Sequence, residues 1–223
     1  TQLNHMEAGI AAAWDMAGNG TGGSTMMGIP GAAGDGVTDD TEALAAALSQ
    51  SNCVVDGGNR KYKYLYLTME NVENVTVRNV IFWKGQAFDV KGCKNIRFEN
   101  CVWDGIYNND DHAVWTCGIR LRERTDAERN EIWCENIWIE HCTFREIWYN
   151  PYVNNGRPCD VTGIAILPRS VHNLYIRHNF FTQNKGSACI HWNSYKKNGY
   201  AEITDNTFYL NAYGGVGVYA VQQ

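Results

Sequence analysis

The segment NIRFENCVW, residues 95–103, has apolar residues at its second and fourth places and an aromatic residue at its end. Its third and fifth places are polar, and an alternation with a period of two is typical of a half-buried β-strand. Four other segments repeat the pattern with polar or large residues at those places: NVTVRNVIF (74–82), NIWIEHCTF (136–144), NLYIRHNFF (173–181) and YAEITDNTF (200–208). The chain therefore carries one strand motif five times.

The alternation predicts which side chains face the interior. They are the second and fourth residues of each copy, namely Val75/Val77, Ile96/Phe98, Ile137/Ile139, Leu174/Ile176 and Ala201/Ile203. A second apolar segment follows each copy, at residues 87–90, 118–121, 163–166, 187–190 and 215–218. Each repeat is therefore predicted to form a coil of at least two strands.

The spacing of the copies indicates the fold class. They begin at residues 74, 95, 136, 173 and 200, so the periods are 21, 41, 37 and 27 residues. Self-similarity of this period, with strands and almost no helix, is typical of a solenoid. A leucine-rich repeat would need Leu at fixed places and an asparagine ladder, and neither is expected in these coils. We therefore predict a parallel β-helix whose coils align like residues about 4.8 Å apart.

The repeat predicts columns of equivalent side chains along the coils. One column is polar and consists of Asn79, Asn100, His141, His178 and Asp205. A second column is aromatic and consists of Phe82, Trp103, Phe144, Phe181 and Phe208.

The cysteines fall into further columns. Cys93 shares one with Cys134, and another consists of Cys101, Cys142, Asn179 and Asn206. A disulfide between neighbours in one parallel ladder strains the required dihedral angle, so free and buried thiols are favoured over disulfides. Zinc sites need paired C-x2-C or comparable histidine spacing, which this sequence lacks, and we predict no metal and no cofactor.

Length and charge limit the class of protein. A chain of 223 residues fits one domain and can bury about 70% of its unfolded surface. The formal net charge of −5 has no basic stripe, so nucleic acid is not an expected partner. We expect neither membrane insertion nor export, because no run of 18 apolar residues occurs and the first residues do not resemble a signal peptide.

The front of the chain reads as three parts. Apolar residues at spacings of three and four predict a helical stalk over 1–18, a Gly-rich linker occupies 19–33, and the β-helix domain covers 34–223. A short helix is predicted over 41–48, where it would cap the first coil. We expect the other end of the solenoid to be covered by further polypeptide or by another chain, because an open end exposes unpaired edges.

The stretch GDGVTDDTEALAAAL, residues 34–48, could be taken for a phosphate-binding loop or a calcium-binding loop, but its residues exclude both. A phosphate loop would need a Lys, and an EF-hand would need alternating acids and a Glu at the twelfth place. The acids suit a helix start instead, with Asp39 or Asp40 accepting N–H bonds and Glu42 in the first turn. Gly34 and Gly36 would allow the chain to reverse there.

GDGVTDDTEAL (34–44), followed by coils of the form xNVTVRNxxF, resembles the pectin-lyase-like parallel β-helix domains of bacteriophage tailspikes and related polysaccharide lyases. The resemblance covers about residues 28–223. LNHMEAGIAAAWD (3–15) resembles a short helical segment in tail and appendage proteins of phages of Gram-positive hosts. Together they imply a virion protein, a homotrimer with other virion tail proteins as partners, and a host-surface glycan as ligand.

The full fold prediction is therefore all-β, a right-handed single-stranded parallel β-helix with a short N-terminal helical stalk and a capping helix.

Insertions on a solenoid map to one face and often carry binding. Three insertions, at residues 104–116, 123–133 and 145–161, are rich in Trp, Tyr, Asn and acids, a mixture that suits sugars. The predicted carbohydrate-binding residues are Tyr107, Trp115, Trp148, Tyr149 and Tyr152. The alternative is that these rings pack the insertions onto the coils.

Catalysis would need charged groups in the same insertions. Glycoside hydrolysis uses two carboxyls about 5 to 9.5 Å apart, whereas a lyase needs a base and a group that neutralises a carboxylate. The candidates are Asp110, Asp111, Glu123, Glu146, Arg122 and His191. His191 is expected in the column of Arg122 if residues 187–188 absorb one residue of slack. The alternative is a solvated, mutually paired surface. Polygalacturonase-type motifs are absent, so the resemblance assigns no catalytic residue.

Three functions fit the sequence. The first is a phage appendage that binds host-surface polysaccharide, with or without cleaving it. The second is a free-standing lyase, hydrolase or epimerase on the same solenoid, and the third is a structural spacer in the virion. The helical front and the lack of an export signal favour the first.

Overall fold

The computed structural model describes residues 28–107, 116–148, 163–186, 188–194, 200–212 and 214–220. The predicted stalk and most of the predicted linker lie outside these residues. One short helix, α1 (Thr41–Leu48), is found among the described residues, and the other elements are strands.

Most strands belong to two parallel sheets. Sheet A contains β1 (Asp35–Asp39), β2 (Cys53–Lys63), β4 (Glu73–Trp83), β6 (Lys94–Glu99), β7 (Val102–Asp104), β11 (Cys134–Glu140), β12 (Thr143–Arg145), β14 (Val171–Arg177), β15 (Phe180–Thr182), β17 (Ala201–Thr204) and β18 (Thr207–Tyr209). Sheet B contains β3 (Tyr66–Glu70), β5 (Ala87–Lys91), β8 (Cys117–Arg122), β13 (Ile164–Pro168), β16 (Ala188–Ser194) and β19 (Gly214–Ala220). A small antiparallel pair, β9 (Arg124–Thr125) and β10 (Glu131–Ile132), stands apart.

The chain alternates between the two sheets and pairs each strand with its equivalent one repeat later. In sheet B the order is β19-β16-β13-β8-β5-β3, so neighbours in the sheet are successive repeats in the sequence. Sheet A turns a corner within each coil, where β4 pairs with β6 along its first half and with β7 along its second half. The prediction of an all-β fold with large parallel sheets is confirmed, and this topology is compatible with a parallel β-helix. The handedness of the coils stays a prediction.

The core lies between the sheets and holds the residues predicted to face inward. Val75, Val77, Ile96 and Phe98 are buried, as are their equivalents in the next two coils, while Ala201 and Ile203 are partly buried. The predicted aromatic column is confirmed. Phe82, Trp103, Phe144, Phe181 and Phe208 form successive stacks with ring centroids 4.8, 4.7, 5.1 and 4.8 Å apart.

An additional coil, formed by β2 and β3, precedes the first predicted copy. Its register with β4 is irregular, since three residues lie between Asp56 and Arg60 but only one lies between their partners, Arg78 and Val80. The bulge carries Gly58 and Asn59 at positive φ. These extra residues interrupt the period-two alternation, which is why the sequence pattern missed this coil.

The predicted polar column lies at a bend of the coils. Asn79, Asn100, His141, His178 and Asp205 all have φ between 52° and 55°, a left-handed conformation that Asn and Asp tolerate better than most residues. The two histidine rings stack with centroids 5.1 Å apart. The column is confirmed, and its polar residues serve the backbone conformation at the bend.

A second corner carries an asparagine ladder, so the expectation that the coils lack one was wrong. Asn52, Asn74, Asn95, Asn136 and Asn173 are joined by four amide-to-amide hydrogen bonds of 2.8 to 2.9 Å. All five residues have positive φ. Because the first place of the motif is the corner, its asparagine is selected by backbone conformation and by the ladder together.

Helix α1 closes the first coil, as predicted. Its Leu44 and Leu48 are fully buried within the main core. Asp39 accepts bonds from the Thr41 backbone and hydroxyl, whereas Asp40 turns back to bind the N–H groups of residues 33 and 34. Residues 35–39, predicted as a turn, also form the short strand β1 against β2.

The seven described cysteines are free thiols. Cys93 and Cys134 donate to backbone carbonyls inside the core, at Sγ–O distances of 3.3 Å to residues 69 and 90. Burial raises the pKa of Cys134 to about 12, so this thiol stays protonated at neutral pH. Across the described ranges, no helix has the length and apolar character needed to cross a membrane.

Candidate functional site

An outward column of side chains runs along the edge where each coil enters sheet B. We call it the aromatic edge and define it by Tyr107, Trp148 and Lys185. The backbone sets the register, because Trp148 N–H donates to Ile106 C=O and Lys185 N–H donates to Ile147 C=O, both at 2.9 Å. The three side chains therefore occupy equivalent places in successive coils.

The two rings of the aromatic edge are exposed and perpendicular. Tyr107 is 41% exposed and Trp148 is 40% exposed. Their centroids are 6.4 Å apart with an interplanar angle of 85°. The Lys185 ammonium lies 3.4 Å from the centre of the Trp148 ring, which is a close cation–π contact. Two predicted binding residues are thus brought together, and the structure adds a lysine that the sequence reading missed.

A left-handed corner holds the aromatic edge in place. Lys84, Gly105, Glu146, Gln183 and Leu210 occupy one corner column with φ between 51° and 65°. Their backbones are tied to the next coil, for example by Glu146 N–H donating to Thr182 C=O. The residues after each corner therefore leave the coil in the same direction, which aligns Tyr107 with Trp148.

The outward face of sheet B carries a buried ion cluster in its first coils. Arg120 donates to Asp89 from Nε at 2.5 Å and from one terminal nitrogen at 2.7 Å. Tyr66 donates its hydroxyl to Asp89 at 2.5 Å and accepts from Arg120 at 3.0 Å. The Asp89 side chain is 0% exposed and that of Arg120 is 6% exposed. This geometry is a bidentate, charge-assisted pair sheltered from water.

The surroundings shift the proton affinities of this cluster. Burial, followed by the hydrogen bond to Asp89 and the charge of Asp89, raises the pKa of Tyr66 to about 12. For Arg120, burial alone would lower the pKa, but the paired Asp89 raises it above the ordinary value. Both groups are therefore fully protonated at neutral pH, and neither is a ready base.

Two further cations face the same carboxylate from the end of the strands. Arg122 lies 3.6 Å from an Asp89 oxygen, and Lys91 lies 3.9 Å from it. Lys91 is also 3.9 Å from a Glu70 oxygen. Arg122 is 33% exposed and Lys91 is 24% exposed, so both reach solvent. The cluster thus has a buried floor and a charged, solvent-facing rim.

The predicted catalytic residues are dispersed. Glu123 accepts a 2.6 Å bond from the Ser170 hydroxyl. Burial pushes the pKa of Glu123 up, but the Ser170 bond and the charges of Arg122 and Arg169 leave it below the ordinary value. Glu123 is therefore an ionised carboxylate at neutral pH. Glu146 is exposed and lies in the corner column.

The expected column of His191 was wrong. Ile166 pairs with Ile119 on one side and with Ile190 on the other, so His191 falls in the column of Arg120 and not of Arg122. Ala188 pairs with Gly214 and Ile190 pairs with Val216, so these two strands keep one register from Ala188 onward. The extra residue lies instead in β8, before Arg120. Two residues separate Cys117 from Arg120 there, whereas one residue separates their partners, Ala87 and Asp89, in β5. His191 is buried there, at 3% exposure.

Five predicted site residues lie outside the described residues, namely Asp110, Asp111, Trp115, Tyr149 and Tyr152. They belong to segments 108–115 and 149–162, which directly follow Tyr107 and Trp148 in the chain. The described part of the chain contains no cluster of three or more His, Cys, Asp or Glu side chains that could hold a metal ion.

The sequence reading missed Tyr66, Asp89, Lys91 and Lys185. A usable signal existed for one pair, because Asp89 and Arg120 hold the same place in successive second strands. Opposite charges in one outward column predict a cross-strand pair. The alternation does not reveal burial on the outward face, so the cluster would have been read as a surface ion pair.

Comparisons with known proteins give little further guidance. No family model matches the chain, and no curated protein matches it. Among solved structures, one from Parabacteroides merdae ATCC 43184, named "putative glycosyl hydrolase", is similar over 86% of this chain and 96% of its own. The sequence identity is 14% and the TM-score is 0.37. A likeness at this level assigns neither fold nor activity to this chain.

Proposed function

We propose that this chain is a phage virion component, a tailspike or appendage protein, that binds host-surface polysaccharide. The observation that carries the proposal is the exposed Tyr107–Trp148 pair at the entrance to sheet B. The virion role rests on the two sequence resemblances at residues 3–15 and 34–44.

The exposure of these rings is what supports binding. Large aromatic side chains are usually buried, and exposed apolar groups gathered in one place mark interaction sites. Tyr and Trp combine an apolar ring with a polar hydrogen-bonding group, which suits the apolar faces and hydroxyls of a sugar. Lys185 adds a donor beside the Trp148 ring. A pair of rings set on a rigid corner offers a pre-formed surface, which lowers the entropy cost of binding.

Aromatic residues on sheet A have a different arrangement. The rings of Trp138 and Tyr175 stack at 5.5 Å with an interplanar angle of 8°. The Arg97 guanidinium lies 5.1 Å from the Trp138 ring, and that of Arg177 lies 4.8 Å from the Tyr175 ring. Both rings are less exposed than Tyr107 and Trp148 and stack face to face along the ladder, so they are suited to stabilising the coils.

Binding, rather than cleavage, is the function that the described residues favour. Asp89 is occupied by Arg120 and Tyr66, and Glu123 is held ionised by Ser170. A glycosidase needs a second carboxyl that stays protonated to act as the acid. Hydrogen bonds lower the pKa of Glu123 and that of Glu202, so neither of these two carboxyls is suited to that role.

The test is retention on immobilised surface polysaccharides from a panel of bacteria. The wild-type protein should be retained by at least one of them, and Trp148→Ala should lose most of that retention. Trp138→Ala is the matched control, because it removes the same side chain from sheet A. Equal retention of wild type and Trp148→Ala would contradict the assignment of the aromatic edge. Sizing of the purified protein should show a trimer, and a stable monomer would count against the tailspike role.

A further inference from the structure

We propose that a gap in the corner column at Gly105 seats one uncharged sugar unit of the polysaccharide, between Lys84 and Glu146 and beside Tyr107. This inference rests on the proposed function, since it places a unit of the same glycan next to the aromatic edge. It adds the class of that unit, which is neutral, and it gives Glu146 a role in binding.

The corner column lacks a side chain at one position. Lys84, Glu146, Gln183 and Leu210 occupy it with long and exposed side chains, and Gly105 stands between Lys84 and Glu146. Backbone hydrogen bonds hold the three coils together there, from Lys84 N–H to residue 104 and from Gly105 N–H to residue 145. Neighbouring strands are about 4.8 Å apart, so the two backbones that flank Gly105 stand about 10 Å apart. The space between their side chains is the gap.

Neither backbone conformation nor packing requires a glycine at residue 105. Its φ of 65° is matched by values of 51° to 57° at the four corner positions that carry a long side chain. A Cβ atom on Gly105 would have one described neighbour within 4 Å, the Cγ of Lys84 at 3.5 Å. On Gly92, by contrast, the same atom would lie 2.9 Å from the Cβ of Arg124, so crowding accounts for that glycine. The fold tolerates a side chain at residue 105, and we attribute its absence to the ligand.

Tyr107 borders the gap within the same coil. It lies two residues beyond Gly105, and Ile106 between them is fully buried. The gap and the Tyr107 ring therefore both lie on the outer surface of this corner. Trp148 holds the same relation to Glu146 one coil later, because its N–H donates to Ile106 C=O. An aromatic ring beside an open space suits the apolar face of a sugar ring.

Lys84 and Glu146 form the polar walls of the gap. None of the ion pairs among the described residues involves either side chain. The Lys84 ammonium lies 5.1 Å from the centre of the Trp83 ring, so its stem lines the gap and its charge stays at the border. Lysine only donates hydrogen bonds and an ionised carboxylate only accepts them, whereas a sugar hydroxyl does both. The two walls therefore suit a unit that carries several hydroxyls.

The opposite charges of the walls favour a neutral unit. A carboxylate in the gap would face Glu146, and a cationic group would face Lys84. The other charged groups at this corner already have contacts. Arg145 is paired with Asp104 at 2.6 Å, and the Lys185 ammonium lies over an indole ring. The groups that border the gap directly thus carry no net charge.

The direct test fills the gap and measures affinity for a polysaccharide that retains the wild type. Gly105→Gln introduces the side chain that Gln183 already carries in the same turn, and it should weaken binding by about tenfold or more. Gly105→Ala fills less of the space and should weaken binding less. Asn100→Gln is the matched control, because it places the same side chain at another left-handed corner of the same coil. Wild-type affinity in Gly105→Gln would overturn the inference.

The walls and the charge of the ligand are tested separately. Glu146→Ala should weaken binding, whereas Glu146→Gln should keep part of the affinity because it retains an acceptor oxygen. Raising NaCl from about 0.1 M to about 1 M should change wild-type binding by less than about twofold, since screening acts on charged partners. Loss of binding in salt, or unchanged binding in Glu146→Ala, would contradict a neutral unit held by Glu146.

These variants separate this inference from the proposed function. If a polysaccharide retains wild type and Gly105→Gln equally while Trp148→Ala loses retention, the gap is not a subsite and the glycan-binding function stands. If no polysaccharide retains the wild type, the proposed function fails and this inference fails with it. Melting curves should show that each variant is folded like wild type. If Gly105→Gln is unstable, Glu146→Ala decides the outcome, because it alters an exposed side chain.

Discussion

The outward faces of sheets A and B are built on the same coils but hold their charges differently. On sheet A, Arg78 pairs with Asp56 and Arg177 pairs with Glu202 at side-chain exposures of 48% and 31% for the arginines. On sheet B, Arg120 pairs with Asp89 at 6% and 0%. Exposed pairs in water contribute little, whereas a desolvated pair is costly to break. The difference indicates that the charges of sheet A form a solvated ladder, whereas those of sheet B form a desolvated cluster.

Removing a carboxylate from each face should give the largest contrast. Asp89→Asn leaves Arg120 buried without a full counter-charge and should lower the free energy of unfolding by about 3–5 kcal/mol. Asp56→Asn, its counterpart on sheet A, should lower it by about 0–1 kcal/mol. Urea denaturation measures both changes. Similar losses in the two variants would mean that the faces do not differ in desolvation.

The second largest difference between the two faces is expected in the pKa values of their tyrosines. Tyr66 is held protonated by burial and by Asp89, with its pKa raised to about 12. On sheet A, the charge of Glu202 raises the pKa of the exposed Tyr200. Because the folded pKa of Tyr66 is raised, its contribution to stability is full below its unfolded pKa near 10 and is lost as pH rises toward 12.

This titration can be followed by phenolate absorbance, using Tyr66→Phe to identify the signal. The variant should lack the transition near pH 12 and should lose less stability than wild type between pH 10 and 12. A Tyr66 transition at pH 10 would show that the hydroxyl is not held by Asp89.

The aromatic rings offer a third, smaller contrast in stability. Trp138→Ala removes a ring stacked on Tyr175 and should cost about 0.5–1.5 kcal/mol beyond the loss of buried area. Trp148→Ala removes a ring that makes a perpendicular contact at an exposed edge, and we expect a smaller cost for it. Chemical denaturation of the two variants decides the order, and a larger loss in Trp148→Ala would reverse the roles given to the two rings.

The smallest effect is expected for the sheet A ion ladder. Arg177→Gln removes contacts to Glu202 at 2.7 Å and to Glu140 at 3.8 Å. Because these groups are partly exposed, the loss should be about 0–1 kcal/mol, and added salt should reduce it further. A loss that exceeds this range and resists salt would mean that sheet A is also desolvated.

Much of the fold was predictable because its signal is local. The alternation in residues 95–103 and its copies identified the inward residues, and alignment of the copies identified the aromatic column and the polar column. The coil formed by β2 and β3 was missed because its bulge at Gly58 and Asn59 interrupts the alternation. The column of His191 was misplaced because a one-residue register shift cannot be located from apolar residues alone.

The candidate site was less predictable, since its residues come from different coils and are brought together only by the register in which the coils stack. Tyr66 lies 23 residues from Asp89 and Asp89 lies 31 residues from Arg120, yet all three side chains are in contact. Loop composition pointed to Tyr107 and Trp148, because rings in insertions are a visible signal. Burial of an outward face depends on tertiary packing, which no period in the sequence reports.

The corner column that runs from Lys84 to Leu210 affects how the sequence can change while the fold stays the same. Lys, Gly, Glu, Gln and Leu all adopt the same left-handed turn there, so stacked backbone bonds fix the turn whatever the side chain is. The positions that follow, from Gln86 to Lys185, can then exchange residues without moving the backbone. Ligand preference could change by single substitutions among these equally spaced positions, and a library restricted to them would keep the coil intact while altering what it recognises.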